Sequence, residues 1–281
     1  MNRLVHYARL IRLSHSVFAL PFALSTLILV HPYHEVTLHK IIWILIAMVS
    51  ARSAAMGFNR IIDREIDKKN PRTSQRELPQ GIVTLQGAFL FTILCAIIFI
   101  FSAFKLNAAC GLLSIPTLIL FFFYPYAKRL TWTCHLFLGL SLALSPIGVW
   151  LAIANSLQGP VLLLSLGVLF WVSGFDVIYA CQDLEFDQTH HLLSIPQKFG
   201  IPKALTLAMI FHGLTISCFI WVGISFKLNL FYFMGCGIIS IAMLYQHYLI
   251  SPKDLSRVEK AFNTNGTIGF IYLLAIWMGM R

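Results

Sequence analysis

Residues 41–69 read IIWILIAMVSARSAAMGFNRIIDREIDKK. As far as Phe58 the stretch is apolar or small and carries a single charge, Arg52. The eleven residues that follow hold seven charges, among them Asp63, Glu65 and Asp67. A membrane helix needs about 20 mostly apolar residues. The stretch therefore predicts a span over roughly 40–58 that leaves the bilayer into a charged rim.

Working outward, eight more runs qualify, at roughly 13–30, 84–104, 108–124, 132–152, 160–181, 203–222, 228–249 and 265–280. Each is apolar all round, the signature of a helix surrounded by lipid or protein. Alternation of period two is absent, which argues against an outer-membrane barrel. The expected fold is all-α: a polytopic membrane protein of nine transmembrane helices, in a single integral-membrane domain over 1–281. Composition agrees. Of the 281 residues, 58% are hydrophobic and 11% charged, against about 25% charged in a soluble domain. A soluble enzyme and a disordered chain are both excluded. The first run follows Arg3, Arg9 and Arg12 like the basic end of a signal peptide. It lacks a small-residue cleavage site and is long enough to span, so it reads as a retained helix. Cys95, Cys110, Cys134, Cys181, Cys218 and Cys236 are widely spaced without a CxxC, and read as small hydrophobes rather than a disulfide frame or zinc site.

The net charge of +10 would suggest nucleic acid in a soluble protein. Here anionic lipid headgroups explain it, and no nucleic acid is expected. Sixteen of the 21 Lys and Arg fall in loops on one side of the spans, four on the other, and Arg52 within a span. The rule that positive loops stay inside puts the N-terminus in the cytoplasm and, after nine spans, the C-terminus outside.

The acids are not scattered. Eight of 11 lie in two places: Asp63, Glu65, Asp67 and Glu77 after the second span, and Asp176, Asp183, Glu185 and Asp187 at the end of the sixth. Asp63–Asp67 and Asp183–Asp187 share the pattern D-x-E-apolar-D, a weak trace of duplication. Residues four apart share a helix face. Asn59, Asp63 and Asp67 then point one way, with Arg52 two turns down the same face. Asp176, Asp183 and Asp187 form a second stripe. Like charges four apart repel, and a hard divalent cation such as Mg²⁺ removes the conflict, holding one or two carboxylates per ion around a diphosphate. The bland alternative is a pair of solvated helix ends.

Around these clusters lie basic groups. Arg72 and Arg76 sit four apart in KKNPRTSQRELPQG, residues 68–81, where Pro71, Pro79 and Gly81 predict a shaped loop. Guanidinium groups suit phosphate. After the fourth helix comes YPYAKR, with Tyr124 and Lys128 four apart; an interfacial tyrosine and a topology lysine are the alternative. Arg52, costly inside a span, needs a partner: either Asp176 or an anionic substrate. His190, His191, His31, His34 and His39 lack convergent partners. The sequon at Asn265 falls on the expected cytoplasmic side and is set aside. The 23 Phe and 8 Met read as lipid-facing and core packing, some of them suited to lining a channel for an isoprenoid tail.

NRIIDREIDKKNPRTSQRELPQG resembles the first Asp-rich motif of UbiA-type intramembrane aromatic prenyltransferases. DVIYACQDLEFDQ resembles their second, and YPYAK their tyrosine–lysine pattern between helices four and five. The resemblance implies nine helices around a central cavity with a cytoplasmic cap, in the bacterial inner (plasma) membrane. It also implies a Mg²⁺-dependent transfer of a polyprenyl group from polyprenyl diphosphate to an aromatic acid. By position it makes Asp63, Asp67, Asp183 and Asp187 metal ligands, and Arg52, Asn59, Arg72 and Arg76 substrate-binding. Asp176, Tyr124 and Lys128 become catalytic candidates. Two positions depart from the pattern: Arg60 where many relatives have Asp, and Thr189, His190 and His191 where lysines often follow the second motif. SHSVFALPFAL, residues 14–24, looks most like the branch that prenylates 4-hydroxybenzoate for ubiquinone or serves menaquinone synthesis through futalosine. Prenylation of haem is a further alternative. From a different class, a cation-coupled transporter also uses intramembrane acids, although it places them near the midplane on broken helices.

Overall fold

The computed structural model of the chain describes residues 3–11 and 18–281. Arg12 and the beginnings of the first expected span and of SHSVFALPFAL lie outside the described residues. The described chain is helical: α1 Arg3–Leu10, α2 Leu20–Val30, α3 Leu38–Lys69, α4 Leu85–Leu106, α5 Ala108–Leu130 and α6 Cys134–Ala154. There follow α7 Gly159–Ala180, a 3₁₀ turn Cys181–Asp183, α8 Leu184–Thr189, α9 Ile195–Ser225, α10 Leu230–Tyr248 and α11 Val258–Gly279.

Seven of these helices are long and apolar enough to cross a membrane: α3 to α6, α7 with its continuation to Thr189, α9 and α10. The described part of the first expected span, α2, is an apolar helix of 11 residues. α11 has 22 residues, and its first turns carry Glu259, Lys260, Asn263 and Asn265.

Three boundaries near the acidic clusters differ from those expected. α3 does not stop at the charged rim but runs 32 residues, through the whole first acidic motif, to Lys69. Its end is set by Asn70, whose backbone leaves the helical region (φ −85°, ψ 119°) before Pro71, as a residue preceding proline tends to do. α5 continues through YPYAKR to Leu130, with Pro116 and Pro125 inside it, so Tyr124 and Lys128 stand on a helix and not in a loop. α9 begins at Ile195, eight residues early, but is kinked at Gly200 (φ 78°, ψ 161°). Only glycine adopts that conformation without strain, and Pro202 restarts the helix with no N–H to lose.

The chain divides into two compact units, residues 1–16 with 37–126, and residues 17–36 with 127–281. In the first unit α3 packs along α4. Both helices are capped by threonine: Thr37 Oγ1 accepts from Lys40 N at 3.3 Å and Thr84 Oγ1 from Gly87 N at 3.1 Å, satisfying donors the helix cannot. α1 buries Leu10 with Leu78, Val83 and Ala88, while Tyr7 and Ile61 pack against this small cluster. It thereby ties the N-terminus to the loop that follows the acidic motif.

The second unit is organised on α7, which packs against α6 and α9. Phe22, Trp171, Phe219 and Tyr272 interlock, with ring centroids 4.3–6.1 Å apart. Asn265 is wholly buried. Its Oδ1 accepts from Trp171 Nε1 at 3.0 Å and from Gln246 Nε2 at 2.9 Å, binding α7, α10 and α11 together. That sequon is thus closed to glycosylation by burial. Large apolar side chains lie fully outside, such as Leu90, Ile119 and Leu230 at 65–72% exposure, as a lipid-facing surface requires. All six cysteines are free.

Candidate active site

The first acidic motif rides on the last three turns of α3. Asp63 and Asp67 are 4% and 5% exposed, so they are not solvated decoration. Asn59 Nδ2 lies 3.5 Å from Asp63 Oδ2, one turn away. Arg76 returns across the loop to place Nη1 2.7 Å from both oxygens of Asp67. Arg60, which charge counting assigns to a loop, is buried instead. Its Nε donates to Leu10 O at 3.2 Å and its Nη1 stands 3.9 Å from Asp67 Oδ2. Arg60 thus belongs to the motif and to the docking of α1.

The loop over 70–83 is folded by its own bonds. Asn70 Oδ1 accepts from Arg72 N at 2.9 Å, an Asx turn. Thr73 Oγ1 donates to Asp67 O at 3.0 Å, and Gln80 Nε2 to Ser74 O at 2.8 Å. The expectation of a shaped loop is met, and its shape brings Arg76, not Arg72, onto the aspartate; the Arg72 side chain is exposed. Phe58 stacks near Phe122, with centroids 4.4 Å apart, and near Tyr126 at 6.3 Å, which holds the Tyr124 end of α5 beside the motif.

Arg52 is a half-buried residue two turns below Asn59, and its Nε is buried without a hydrogen-bond partner. The same is true of Arg76 Nε. Each is a strong donor that costs free energy while unmade.

In the second unit the expected stripe is interrupted. Asp176 lies on α7, Asp183 ends the 3₁₀ turn, and Asp187 is on α8. The tighter turn breaks the seven–four spacing of an unbroken helix. Asp176, expected as an alternative partner of Arg52, has its Oδ2 2.7 Å from His135 Nδ1 of α6. Asp187 Oδ2 accepts from Ser194 Oγ at 2.9 Å. Lys128 contributes its carbonyl, which accepts from Leu193 N at 2.7 Å, so the end of α5 braces the link into α9. His190 stacks on Phe186 at 4.0 Å. The two D-x-E-apolar-D echoes therefore differ in backbone: one is continuous helix, the other a turn and a short helix.

Sequence reasoning missed His135 and Ser194. His135 is 41 residues from Asp176, and Ser194, though seven from Asp187, lies beyond the end of α8 and reaches it through a turn, so the helical periodicity of the acids does not point to either.

Among the described residues, no group of three or more His, Cys, Asp or Glu is arranged to hold a metal ion. The donor chemistry nonetheless fits Mg²⁺. Asp63 and Asp67, and likewise Asp183 and Asp187, offer hard carboxylate oxygens in pairs, and Mg²⁺ takes one or two carboxylates and completes its shell with water and phosphate.

Comparison with known proteins agrees with this arrangement. The sequence profile described as the UbiA prenyltransferase family matches residues 19–274. The 4-hydroxybenzoate octaprenyltransferase of Vibrio vulnificus is 28% identical over 240 residues, covering 85% of this chain and 84% of its own length. That of Vibrio cholerae is 30% identical over 230 residues, covering 80% and 81%. The structure of a UbiA homolog from Aeropyrum pernix superposes with a TM-score of 0.86 at 32% identity, over 95% of this chain and 98% of that one. A UbiA homolog from Archaeoglobus fulgidus, bound to DMAPP and Mg²⁺, shares the fold with a TM-score of 0.69 at 18% identity, over 95% and 99%. The chain belongs to the UbiA prenyltransferase family and is a multi-pass membrane protein.

Proposed function

We propose that this member of the UbiA prenyltransferase family transfers a polyprenyl group from polyprenyl diphosphate to the ring of 4-hydroxybenzoate, in ubiquinone or menaquinone synthesis. The observation that carries the acceptor is Arg52 Nε, buried and unpartnered below the Asp63 motif. A guanidinium in that state is built for a carboxylate. The names of the curated relatives support the same acceptor. Membership of a prenyltransferase family sets the transporter reading aside. The family match extends over both compact units, which supports a single prenyltransferase domain. The charge distribution supports the bacterial inner membrane with the N-terminus inside, and counting α2 and α11 with the seven long apolar helices brings the spans to nine.

In this reading Asp63, Asp67, Asp183 and Asp187 hold magnesium, which when bound neutralises charge on the departing diphosphate. Arg76, through its unpartnered Nε, and Arg72 bind phosphate oxygens, assisted by Lys128 and Tyr124. Asn59 orients Asp63. The bond between the prenyl carbon and the diphosphate oxygen breaks. The ring carbon beside the phenol hydroxyl forms the new bond, and the ring proton leaves. Asp176 orients the acceptor hydroxyl and receives that proton. Arg52 keeps the acceptor's carboxylate away from the reacting carbon.

Purified full-length protein incubated with polyprenyl diphosphate and Mg²⁺ tests this. The expected result is diphosphate release together with a prenylated 4-hydroxybenzoate by mass spectrometry. Product only with haem or a futalosine-route precursor would replace the acceptor. No diphosphate release with any acceptor would overturn the reading.

A further inference from the structure

We infer that His135 is a positioning residue for Asp176, held in one neutral tautomer by the first turn of α9. The inference rests on the reading of Asp176 as the acid that faces the acceptor. His135 stands in the first turn of α6, and its side chain is 3% exposed. Its Nε2 lies 3.3 Å from the main-chain nitrogen of Ile195. A main-chain N–H can only donate, so Nε2 presents a lone pair. The ring's proton then sits on Nδ1 and is donated to Asp176 Oδ2 at 2.7 Å. A neutral donor orients the carboxylate without cancelling its charge, as an outer partner does for a functional ligand. The Asp176 side chain keeps 24% of its surface exposed, so the imidazole fixes one oxygen in the interior while the carboxylate remains reachable.

The frame around the ring is built. Ser173 Oγ on α7 lies 3.2 Å from His135 O and 2.8 Å from Leu169 O. One turn along α6, Gly139 meets Leu169 O and Ser173 Oγ so closely that a Cβ would collide with both. This close approach of α6 to α7 sets the short span between His135 and Asp176. The next residue back from Ile195 serves the other acid: Ser194 Oγ donates to Asp187 Oδ2 at 2.9 Å and accepts from Gln197 N at 3.2 Å. Every proton in the chain of bonds from Asp187 through Ser194, and from Ile195 through His135 to Asp176, is used once. Two adjacent residues at the start of α9 therefore fix both acids, one directly and one through the imidazole.

Two conservative variants separate orientation from helix support. His135→Asn places an amide N–H near the position of Nδ1 and preserves the bond to Asp176. His135→Gln reaches Ile195 N but not Asp176. For the full-length enzyme in detergent, His135→Gln and His135→Ala should lower kcat/KM for 4-hydroxybenzoate by about ten- to a hundredfold, the size seen when outer partners of functional groups are removed. The KM for the prenyl diphosphate should not change, and His135→Asn should recover most of the loss. Recovery by Gln rather than Asn, or equal loss in both substrates together with a lower melting temperature, would make His135 a support of α9 and overturn the inference. Should the variants fail to fold, ¹⁵N-histidine NMR of the wild type decides it: protonated Nδ1 and bare Nε2 are expected, and a doubly protonated ring or the opposite tautomer overturns it. Full activity in Asp176→Asn with the expected tautomer intact would instead remove the acceptor role of Asp176 and leave its orientation by His135 standing.

Discussion

Arg76 places Nη1 2.7 Å from both oxygens of Asp67, nine residues back across a proline-bounded loop, while its own Nε remains buried and unpartnered. One guanidinium thus neutralises a buried aspartate and keeps a second donor in reserve.

Removing this arginine should act twice. Arg76→Ala leaves the Asp67 charge buried with Arg60 3.9 Å away, and loss of one partner from a buried pair costs about 3 kcal/mol. Thermal unfolding in detergent should fall accordingly, and KM for the prenyl diphosphate should rise. Arg76→Lys keeps the charge but loses the fork, so it should recover stability more than donor affinity. Unchanged donor KM in both variants would confine Arg76 to a structural role.

Asp63→Asn, Asp67→Asn, Asp183→Asn and Asp187→Asn should each lower turnover by about a hundredfold or more while insertion is retained. Chelation should abolish activity and Mg²⁺ restore it. Activity persisting in excess chelator would disprove metal dependence.

Arg52→Ala tests the acceptor carboxylate. A carboxylate deprived of its buried cation loses about 3 kcal/mol or more, so KM for 4-hydroxybenzoate should rise about a hundredfold with little change for the donor. An acceptor analogue without the carboxylate should lose much less. Equal loss for both acceptors would show that Arg52 supports the helix and not the substrate.

Gly200→Ala places a Cβ in a conformation that costs about 1–3 kcal/mol. The melting temperature should drop. Because Ser194 and Ile195 lie on the short segment before the kink, turnover should fall further than stability alone explains. A variant as stable as the wild type would show that the kink relaxes freely.

Orientation is open to a labelling experiment. Gln75 is exposed in the loop after α3, and five of the six native cysteines are buried. Gln75→Cys should therefore resist an impermeant thiol reagent applied outside intact cells and react in inverted vesicles. Labelling from outside would reverse the orientation.

The helical class, the long apolar runs and the gathering of the acids at two places were legible because they follow from local rules. Hydropathy over about 20 residues decides membrane insertion, and residues four apart on a helix meet whatever else the chain does. Asn59, Asp63 and Asp67 were found in that way. Where a helix ends is decided by less local forces. α3 runs past Phe58 with one charged face turned inward, where Arg60, Asp63 and Asp67 are buried and Asp67 is met by Arg60 and Arg76, and α5 runs through Pro125 because it packs against Phe58.

Composition and spacing determined that the chain spans a membrane, gathers its acids at two places and surrounds them with guanidinium groups. Tertiary structure alone decided which partner each acid takes. Arg76 rather than Arg72 reaches Asp67, His135 holds Asp176 across 41 residues, and Ser194 holds Asp187 through a turn. Such pairings depend on where loops fold back and where helices approach, as at Gly139 and the kink at Gly200. None of these hydrogen bonds runs along one continuous helix, so their geometry exists only once the chain has packed.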